Sequence, residues 1–130
     1  MKIEDDKYCF VCGDQNEIGL HASFTVNDDN SATAKIKIPQ NFQGWKDIVH
    51  GGIISTLLDE VSIYACRNIT LKGVTAEIKV KFRKPVPTEV EIVLQARVVE
   101  NKRRLLMVTA ELLVDDFIYA SAETKVFNLE

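Results

Sequence analysis

The run from residue 74 to residue 83 has the clearest pattern in the chain, because apolar residues alternate strictly with Thr, Glu, Lys and Arg. Its apolar positions are Val74, Ala76, Ile78, Val80 and Phe82. Successive side chains of a strand point to opposite faces of the sheet, so this pattern predicts a half-buried strand with one wet face. Pro85 and Pro87 end the run, since proline cannot donate a hydrogen bond to a sheet ladder.

Three later runs, 90–100, 105–114 and 117–127, also have strand patterns. Asn101-Lys102-Arg103 and Asp115-Asp116 separate them and supply turns. Apolar runs separated by two or three turn-forming residues predict an antiparallel meander of hairpins. On the first of these strands, one face is expected to be buried: Val90, Ile92, Leu94, Ala96 and Val98.

Two shorter strand candidates, 20–26 and 31–38, stand earlier in the chain. Asn27-Asp28-Asp29-Asn30 lies between them and is a strong turn signal, because Asn and Asp side chains hydrogen-bond to their own backbone. No internal repeat or low-complexity segment is present, and 130 residues fit one domain, residues 1–130.

One helix is predicted between the strands, from about Gly51 to Asn68. The residues that follow helical spacing are Ile54, Leu57, Leu58, Val61 and Ala65. Ile53, Ile63 and Tyr64 extend the apolar surface beyond one stripe, so the helix should be buried on most sides. The order β-β-α-β-β-β-β predicts the α+β class, with a curved sheet wrapped around this helix.

Composition narrows the classes of function. The chain has 16 basic and 19 acidic residues, a formal charge of −3, and this balance disfavours binding to nucleic acid through a diffuse basic surface. Residues 1–6 lack the apolar run of a secretory signal, and no apolar stretch is long enough to span a bilayer. Three cysteines, an odd number with Cys66 far from Cys9 and Cys12, favour reduced thiols. We therefore expect a soluble cytoplasmic protein without a membrane partner.

The predicted helix carries a row of polar residues at helical spacing, Ser55, Asp59, Ser62 and Cys66. Burying a carboxylate is costly unless it is hydrogen-bonded or faces a wet cavity, so Asp59 is a candidate general base or nucleophile. The alternative is that Asp59 and Glu60 form the solvated edge of the helix. Adjacent helical residues lie about 100° apart, so at most one of the two acids faces a given cleft.

His50-Gly51-Gly52 stands where this helix begins. The first turn of a helix has unpaired N–H groups and a partial positive charge, and two glycines leave those donors uncovered. The arrangement suits an anion, or the oxyanion that forms when a thioester carbonyl is attacked. An ordinary turn or helix cap is the alternative for this tripeptide.

Taken together, these motifs resemble the signature of the PaaI-like hotdog-fold thioesterases. In that family a Gly-Trp loop, here Gly44-Trp45, runs into the His-Gly-Gly turn, and an acid follows nine residues after the histidine, where this chain has Asp59. The resemblance extends to most of the chain through two further segments, Cys9 to Leu20 and Val74 to Val86. Lys46-Asp47 and Glu17-Ile18 depart from the common family pattern, and both lie in loops that the resemblance places near the ligand.

The resemblance implies a fold and an activity. The fold is the hotdog, one long central helix wrapped by a curved antiparallel sheet of five to six strands. The activity is an acyl-CoA thioesterase acting on small or medium acyl groups, with no cofactor. The family also implies a homodimer or a dimer of dimers whose active sites lie at the subunit interface.

The resemblance assigns roles to particular residues. Gly51 N–H would polarise the thioester carbonyl, and Asp59 from the partner subunit would activate water or attack the carbonyl. Thr75 would hold the attacking water, or it is an ordinary β-branched strand residue. His50 would orient the loop or touch substrate, or it caps the turn. The expected substrate-binding residues are Asn16, Gly52, Trp45, Arg83 and Lys84.

Structural roles are the alternatives for Asn16 and Trp45. Arg83 and Lys84 are the candidates for binding the CoA phosphates. The Lys102-Arg103-Arg104 run is a second candidate for those phosphates. Asn16 is suited to forming a turn, and Trp45 to anchoring its loop by packing.

Two other functions and one metal site are alternatives for this sequence. A non-catalytic acyl-CoA-binding protein would share the scaffold, and a dehydratase or hydratase would share the substrate class. Cys9 and Cys12 form a pair suited to zinc, but no second paired motif exists, and His21 or Cys66 would join them only if the fold happened to place them there. We therefore expect no metal.

Overall fold

The computed structural model describes residues 2–130, which is the predicted domain apart from Met1. These residues form six strands and one α-helix in the predicted order. The elements are β1 (Thr25–Val26), β2 (Ser31–Lys37), α1 (Gly51–Ala65), β3 (Gly73–Phe82), β4 (Glu91–Lys102), β5 (Leu105–Val114) and β6 (Phe117–Asn128), with a 3₁₀ turn at Gln40–Phe42. The α+β prediction is confirmed.

The six strands make one antiparallel sheet in the order β1-β2-β4-β5-β6-β3. β4, β5 and β6 are the predicted meander, and Val114 pairs with Phe117 across a two-residue turn. Asp115 and Asp116 in that turn have φ of 49° and 69°. Positive φ at both central residues is typical of the tight turns whose twist matches that of the flanking strands. β1 and β3 are the two edges of the sheet.

α1 packs against the inner face of the curved sheet and contacts strands β2 to β6. The buried face of β4 has Ile92, Leu94 and Ala96, as predicted. Facing them are the buried residues of the helix: Ile54, Leu57, Leu58, Val61, Ser62 and Ala65. Each large apolar side chain removed from water here contributes about 1.5–3 kcal/mol, so the helix is held mainly by burial. No helix within residues 2–130 has the length and hydropathy needed to cross a membrane.

The turn predicted at Asn101-Lys102-Arg103 was misplaced. β4 continues to Lys102, which pairs with Leu105, so the turn consists of Arg103 and Arg104.

Two other predicted boundaries were wrong. The helix ends at Ala65 rather than Asn68, because the Ile69 and Thr70 N–H groups both bond to the Cys66 carbonyl and close a turn. The first strand is confined to Thr25–Val26 instead of 20–26. Leu20 and Ala22 donate their N–H groups to the amino-terminal segment, so this part of the chain pairs outside the sheet.

The prediction of which β3 residues face the core was also wrong at the start of the strand. Thr75 pairs with Val126, and Glu77 pairs with the next residue back, Lys125, so Ala76 is an extra residue in a bulge. A bulge switches the face of the residues on one side of it. Thr75 therefore turns towards α1 with Ile78 and Val80, whereas Val74 and Ala76, which the alternation placed in the core, are exposed.

Candidate active site

The start of α1 is held by His50. Its backbone is extended, with φ −57° and ψ 135°, and its Nδ1 accepts a hydrogen bond of 2.9 Å from the Gly52 N–H. A side chain that accepts from the second or third N–H of a helix satisfies one of the donors that the first turn leaves open. His50 is therefore a helix cap, the structural alternative recognised from the sequence.

This cap leaves a particular donor free. The Gly52 N–H is occupied by His50, and the N–H groups of Ile53 and Ile54 bond to the His50 carbonyl. Among residues 2–130, no acceptor takes the Gly51 N–H. A single exposed N–H at the positive end of the helix is thus available to an external oxygen.

Gly51 opens onto a cleft of about 800 Å³. Its walls are mostly apolar, with Ile48, Ile54 and the Phe82 ring among them. Five of the predicted site residues line it: Trp45, His50, Gly51, Arg83 and Lys84. The fold therefore brings the helix start together with the Gly-Trp loop and the end of β3.

Trp45 was expected to anchor its loop by packing, and this was wrong. The Trp45 side chain is 84% exposed in the chain. The loop is held by its backbone, through Gly44 N–H to the Ile48 carbonyl and Ile48 N–H to the Trp45 carbonyl, at 2.8 and 3.0 Å. Trp45 is free to cover a ligand in the cleft or to pack against a second molecule.

The Lys84 ammonium, in the lining of the cleft, lies near two aromatic rings. It lies 5.6 Å from the Phe117 ring centre and 5.5 Å from that of Tyr119. An ammonium within about 6 Å of a ring face is attracted by the ring quadrupole. Lys84 and its chain neighbour Arg83 thus add two positively charged residues to the cleft lining.

Asp59 lies elsewhere, in the middle of α1, where Thr75 contacts it. The Thr75 hydroxyl donates to Asp59 Oδ1 at 2.5 Å, and both side chains are half-buried. Because the bulge turns Thr75 towards the helix, this bond fixes the orientation of the carboxylate. Thr75 thus holds Asp59 rather than standing alone as a ligand for water.

The two halves of the predicted site do not meet within one chain. Asp59 follows Gly51 by eight residues, which at 1.5 Å per residue is about 12 Å along the helix axis. Asp59 is not among the residues that line the cleft. One thioester carbonyl cannot contact the Gly51 N–H and the Asp59 carboxylate of the same chain.

Asn16 and Gly52 also lie apart from the cleft lining. Asn16 Nδ2 donates to the Tyr8 carbonyl, and Asn16 Oδ1 accepts from the Ile18 N–H, so the side chain is used in a local turn. Gly52 instead borders a shallow depression with Phe42, on another side of the helix start.

The structure adds one cluster that the sequence did not indicate. Glu60 Oε2 lies 3.2 Å from Cys9 Sγ, and the ligand atoms of Cys9, Cys12 and Glu60 all lie within 4.8 Å of one another. Burial, with the adjacent Glu60 carboxylate, raises the pKa of Cys12 to about 12. Asp59 and Glu60 thus face different surroundings, as the helical geometry predicted. The cysteine pair alone was visible in the sequence, since Glu60 follows Cys9 by 51 residues.

Comparison with known proteins decides the family. The model of the thioesterase superfamily matches residues 46–116, more than half of the chain. The protein belongs to the thioesterase superfamily. The match includes the Gly51 helix start, Asp59 and Thr75.

A curated relative of this superfamily member is a candidate esterase of Saccharolobus solfataricus, 36% identical over 63 residues. The aligned part is 47% of this chain and 41% of that protein. The chain therefore spans less than half of the relative's length.

Solved structures show the fold of this thioesterase superfamily member. A thioesterase superfamily protein superposes with a TM-score of 0.87 at 21% identity, over 94% of this chain and 61% of that one. The Escherichia coli PaaI protein from the phenylacetic acid degradation operon gives 0.79 at 18% identity, over 85% and 81%. A Streptococcus mutans protein bound to acetyl CoA gives 0.75 at 17% identity, over 82% and 86%. The hotdog fold is confirmed.

Proposed function

We propose that this protein hydrolyses the thioester bond of small or medium acyl-CoA molecules in the cytoplasm. The observation that carries the proposal is the unoccupied Gly51 N–H, which opens on an apolar cleft at the positive end of α1. A preorganised donor aimed at the position of a developing oxyanion is usually the largest single contribution to acyl-transfer catalysis. The family match supports this chemistry.

The chemistry needs only groups of this chain and water. Asp59 takes a proton from water as the water oxygen attacks the thioester carbonyl carbon, and the carbonyl oxygen becomes an oxyanion at Gly51 N–H. The oxyanion then collapses and the C–S bond breaks. The sulfur leaves as the thiolate of CoA and takes the proton that Asp59 had accepted, which restores the Asp59 carboxylate, so the products are a carboxylic acid and free CoA. Direct attack by Asp59, giving an anhydride that water then opens, leads to the same products.

A two-fold dimer would complete the site. β3 is an edge strand, so its outer N–H and C=O groups are available to a second copy. Thr75, which holds Asp59, stands near one end of β3, and Phe82, whose ring lies beside Gly51, stands at the other. Antiparallel pairing of β3 with itself about its middle would place the Asp59 end of one chain against the Gly51 end of its partner.

Two observations support CoA as part of the substrate: positively charged residues in the cleft lining, and a protein of the same fold that was solved with acetyl CoA. Arg83 and Lys84 place two cations in the cleft lining, and guanidinium groups bind phosphate oxygens in pairs. The Streptococcus mutans protein of the same fold was solved with acetyl CoA. The apolar walls near Ile54 and Phe82 would take the acyl chain.

Release of free thiol from a panel of short, medium, long and aryl acyl-CoAs tests the activity. We expect turnover of short or medium substrates, and a loss of at least about 100-fold in kcat for Asp59→Asn, because general acid–base catalysis is worth about 10²- to 10⁴-fold. Asp28→Asn is the matched control, since Asp28 is exposed in the turn between β1 and β2 and does not line the cleft. Full activity in Asp59→Asn would refute the assignment. Tight acyl-CoA binding without thiol release would favour a binding protein, and hydration of an unsaturated acyl-CoA would favour a hydratase.

Mixed dimers test the division of the site between subunits. A chain with Asp59→Asn and a chain with Gly51→Pro are each expected to be inactive as homodimers. Random mixing should restore about one quarter of the wild-type activity, because half of the dimers are mixed and each has one intact site. An absence of recovery in mixtures shown to contain mixed dimers would contradict a shared site.

A further inference from the structure

We propose that Cys9, Cys12 and Glu60 form a binding site for a zinc-class divalent cation, which ties the amino-terminal segment to α1. This site is independent of the proposed thioester chemistry. Its donor set is two thiol sulfurs and one carboxylate oxygen, within 4.8 Å of one another. Sulfur-rich sets favour zinc and similar borderline metals over magnesium or calcium, which prefer oxygen alone.

The spacing of these atoms is close to that of a metal site. With Zn–S near 2.3 Å and Zn–O near 2.1 Å, tetrahedral geometry places neighbouring ligand atoms about 3.6–3.8 Å apart. Cys9 Sγ and Glu60 Oε2 are already 3.2 Å apart. A modest change of side-chain rotamers would therefore let all three atoms bind one ion, with water in a fourth position.

The backbone turns tightly around the Cys9 sulfur. The N–H groups of Val11 and Cys12 both point at Cys9 Sγ, each at 3.4 Å, and the Gly13 N–H donates to the Cys9 carbonyl at 2.8 Å. A Cβ at Gly13 would lie 2.5 Å from the Cys9 nitrogen, so this tight turn around the sulfur requires glycine.

The hydrogen bonds within the cluster are weak. Thiols are weak donors, and the half-buried Glu60 carboxylate accepts from the Cys9 thiol at 3.2 Å. A divalent cation would replace the two thiol protons, which pass to solvent, and would neutralise the carboxylate in the same step. His21 and Cys66, the other ligands considered from the sequence, are engaged elsewhere: His21 Nε2 with the Asn16 carbonyl, and Cys66 Sγ with the Ser62 carbonyl.

The site also has a structural consequence. Between residues 2 and 24 the chain has no regular secondary structure, although Val11 and Leu20 are buried. Glu60 lies in the middle of α1, so an ion shared with Cys9 and Cys12 would fix this segment to the central helix.

Titration of the reduced, chelator-treated full chain with Co²⁺ tests the proposal. We expect one equivalent to bind, with a thiolate-to-cobalt charge-transfer band and the strong visible bands of tetrahedral cobalt. Cys9→Ser and Cys12→Ser should remove the charge-transfer band. Glu60→Gln should weaken binding by at least about 10- to 100-fold, the loss that even an outer partner of a metal ligand causes. Cys66→Ala is the matched control and should keep the full spectrum.

A second measurement on the wild-type chain does not depend on how the variants fold. Zn²⁺ should slow alkylation of Cys9 and Cys12 relative to the chelator-treated protein and leave the buried Cys66 unchanged. The proposal is overturned if cobalt gives no charge-transfer band, if the band survives Cys9→Ser, or if zinc protects none of the thiols. A Cys9–Cys12 disulfide that forms in air, combined with no cobalt binding after reduction, would identify a redox pair and also overturn it.

Discussion

The replacement Gly51→Pro removes one hydrogen-bond donor from the helix start and puts a small ring in its place. The Gly51 N–H has no partner among residues 2–130, so no intramolecular bond is lost. Gly51 is the first residue of α1, a position where proline is over-represented in helices. The preceding His50 has φ −57° and ψ 135°, a conformation that is compatible with a following proline.

The expected effects on folding and catalysis can be separated. A Cβ at residue 51 would lie 3.6 and 3.8 Å from atoms of the Phe82 ring, which is ordinary contact. The free energy of unfolding should therefore change by no more than about 0.5 kcal/mol, as for most surface substitutions. Removing an oxyanion donor costs about 10²- to 10³-fold in kcat, or about 2.7–4 kcal/mol of transition-state stabilisation.

Thiol-release kinetics and urea unfolding, measured together, make the assay. Gly51→Ala is the matched control, because it adds the same Cβ and keeps the N–H, and we expect it to stay within a few-fold of wild type. If Gly51→Pro folds like the wild type and hydrolyses thioesters at the wild-type rate, the Gly51 N–H is not the oxyanion donor. If Gly51→Ala loses as much activity as Gly51→Pro, crowding of the cleft rather than the missing donor explains the loss.

Two further predictions concern the residues around this site. Thr75→Val keeps the shape of the side chain but removes the hydroxyl that donates to Asp59 Oδ1. We expect kcat to fall by about tenfold with KM little changed, since about 1.4 kcal/mol of activation barrier is tenfold in rate. Thr75→Ser keeps the hydroxyl and should retain the wild-type rate, so equal losses in both variants would contradict a positioning role. Burial raises the pKa of the Cys66 thiol from 9.0 to about 11. Between these two pH values the folded chain keeps a thiol proton that the unfolded chain has lost. The free energy of unfolding should therefore decrease as pH rises from 9.0 to about 11. Cys66→Ala should flatten that decrease in urea unfolding measured across the window, and identical slopes in both proteins would show that the thiol does not contribute.

Local pattern was sufficient for much of the fold. The meander of β4, β5 and β6 has the predicted order, and the bounds of β5 are as predicted, since alternation and two-residue turns are properties of adjacent residues. The helix start at Gly51 was also predicted, because capping and glycine placement act within one turn. Family resemblance, together with this local pattern, indicated the hotdog fold.

The candidate site was predictable only in part. His50, Gly51, Trp45, Arg83 and Lys84 do line one cleft. The His50 side chain accepts from the Gly52 N–H and leaves the Gly51 N–H open, and this depends on the orientation of one side chain. The exposure of Trp45 depends on how the whole loop lies against the sheet.

The sequence by itself determined the elements, their order, the position of the helix start and the acid at its middle. Only the tertiary structure decided the bulge at Ala76, which turned Thr75 towards Asp59, and the contact between Glu60 and Cys9. The physical reason is the separation along the sequence of the residues that interact. Periodicity, turns and caps reflect interactions between residues a few positions apart, whereas the bulge and the thiol–carboxylate cluster arise when segments up to 51 residues apart pack against one helix.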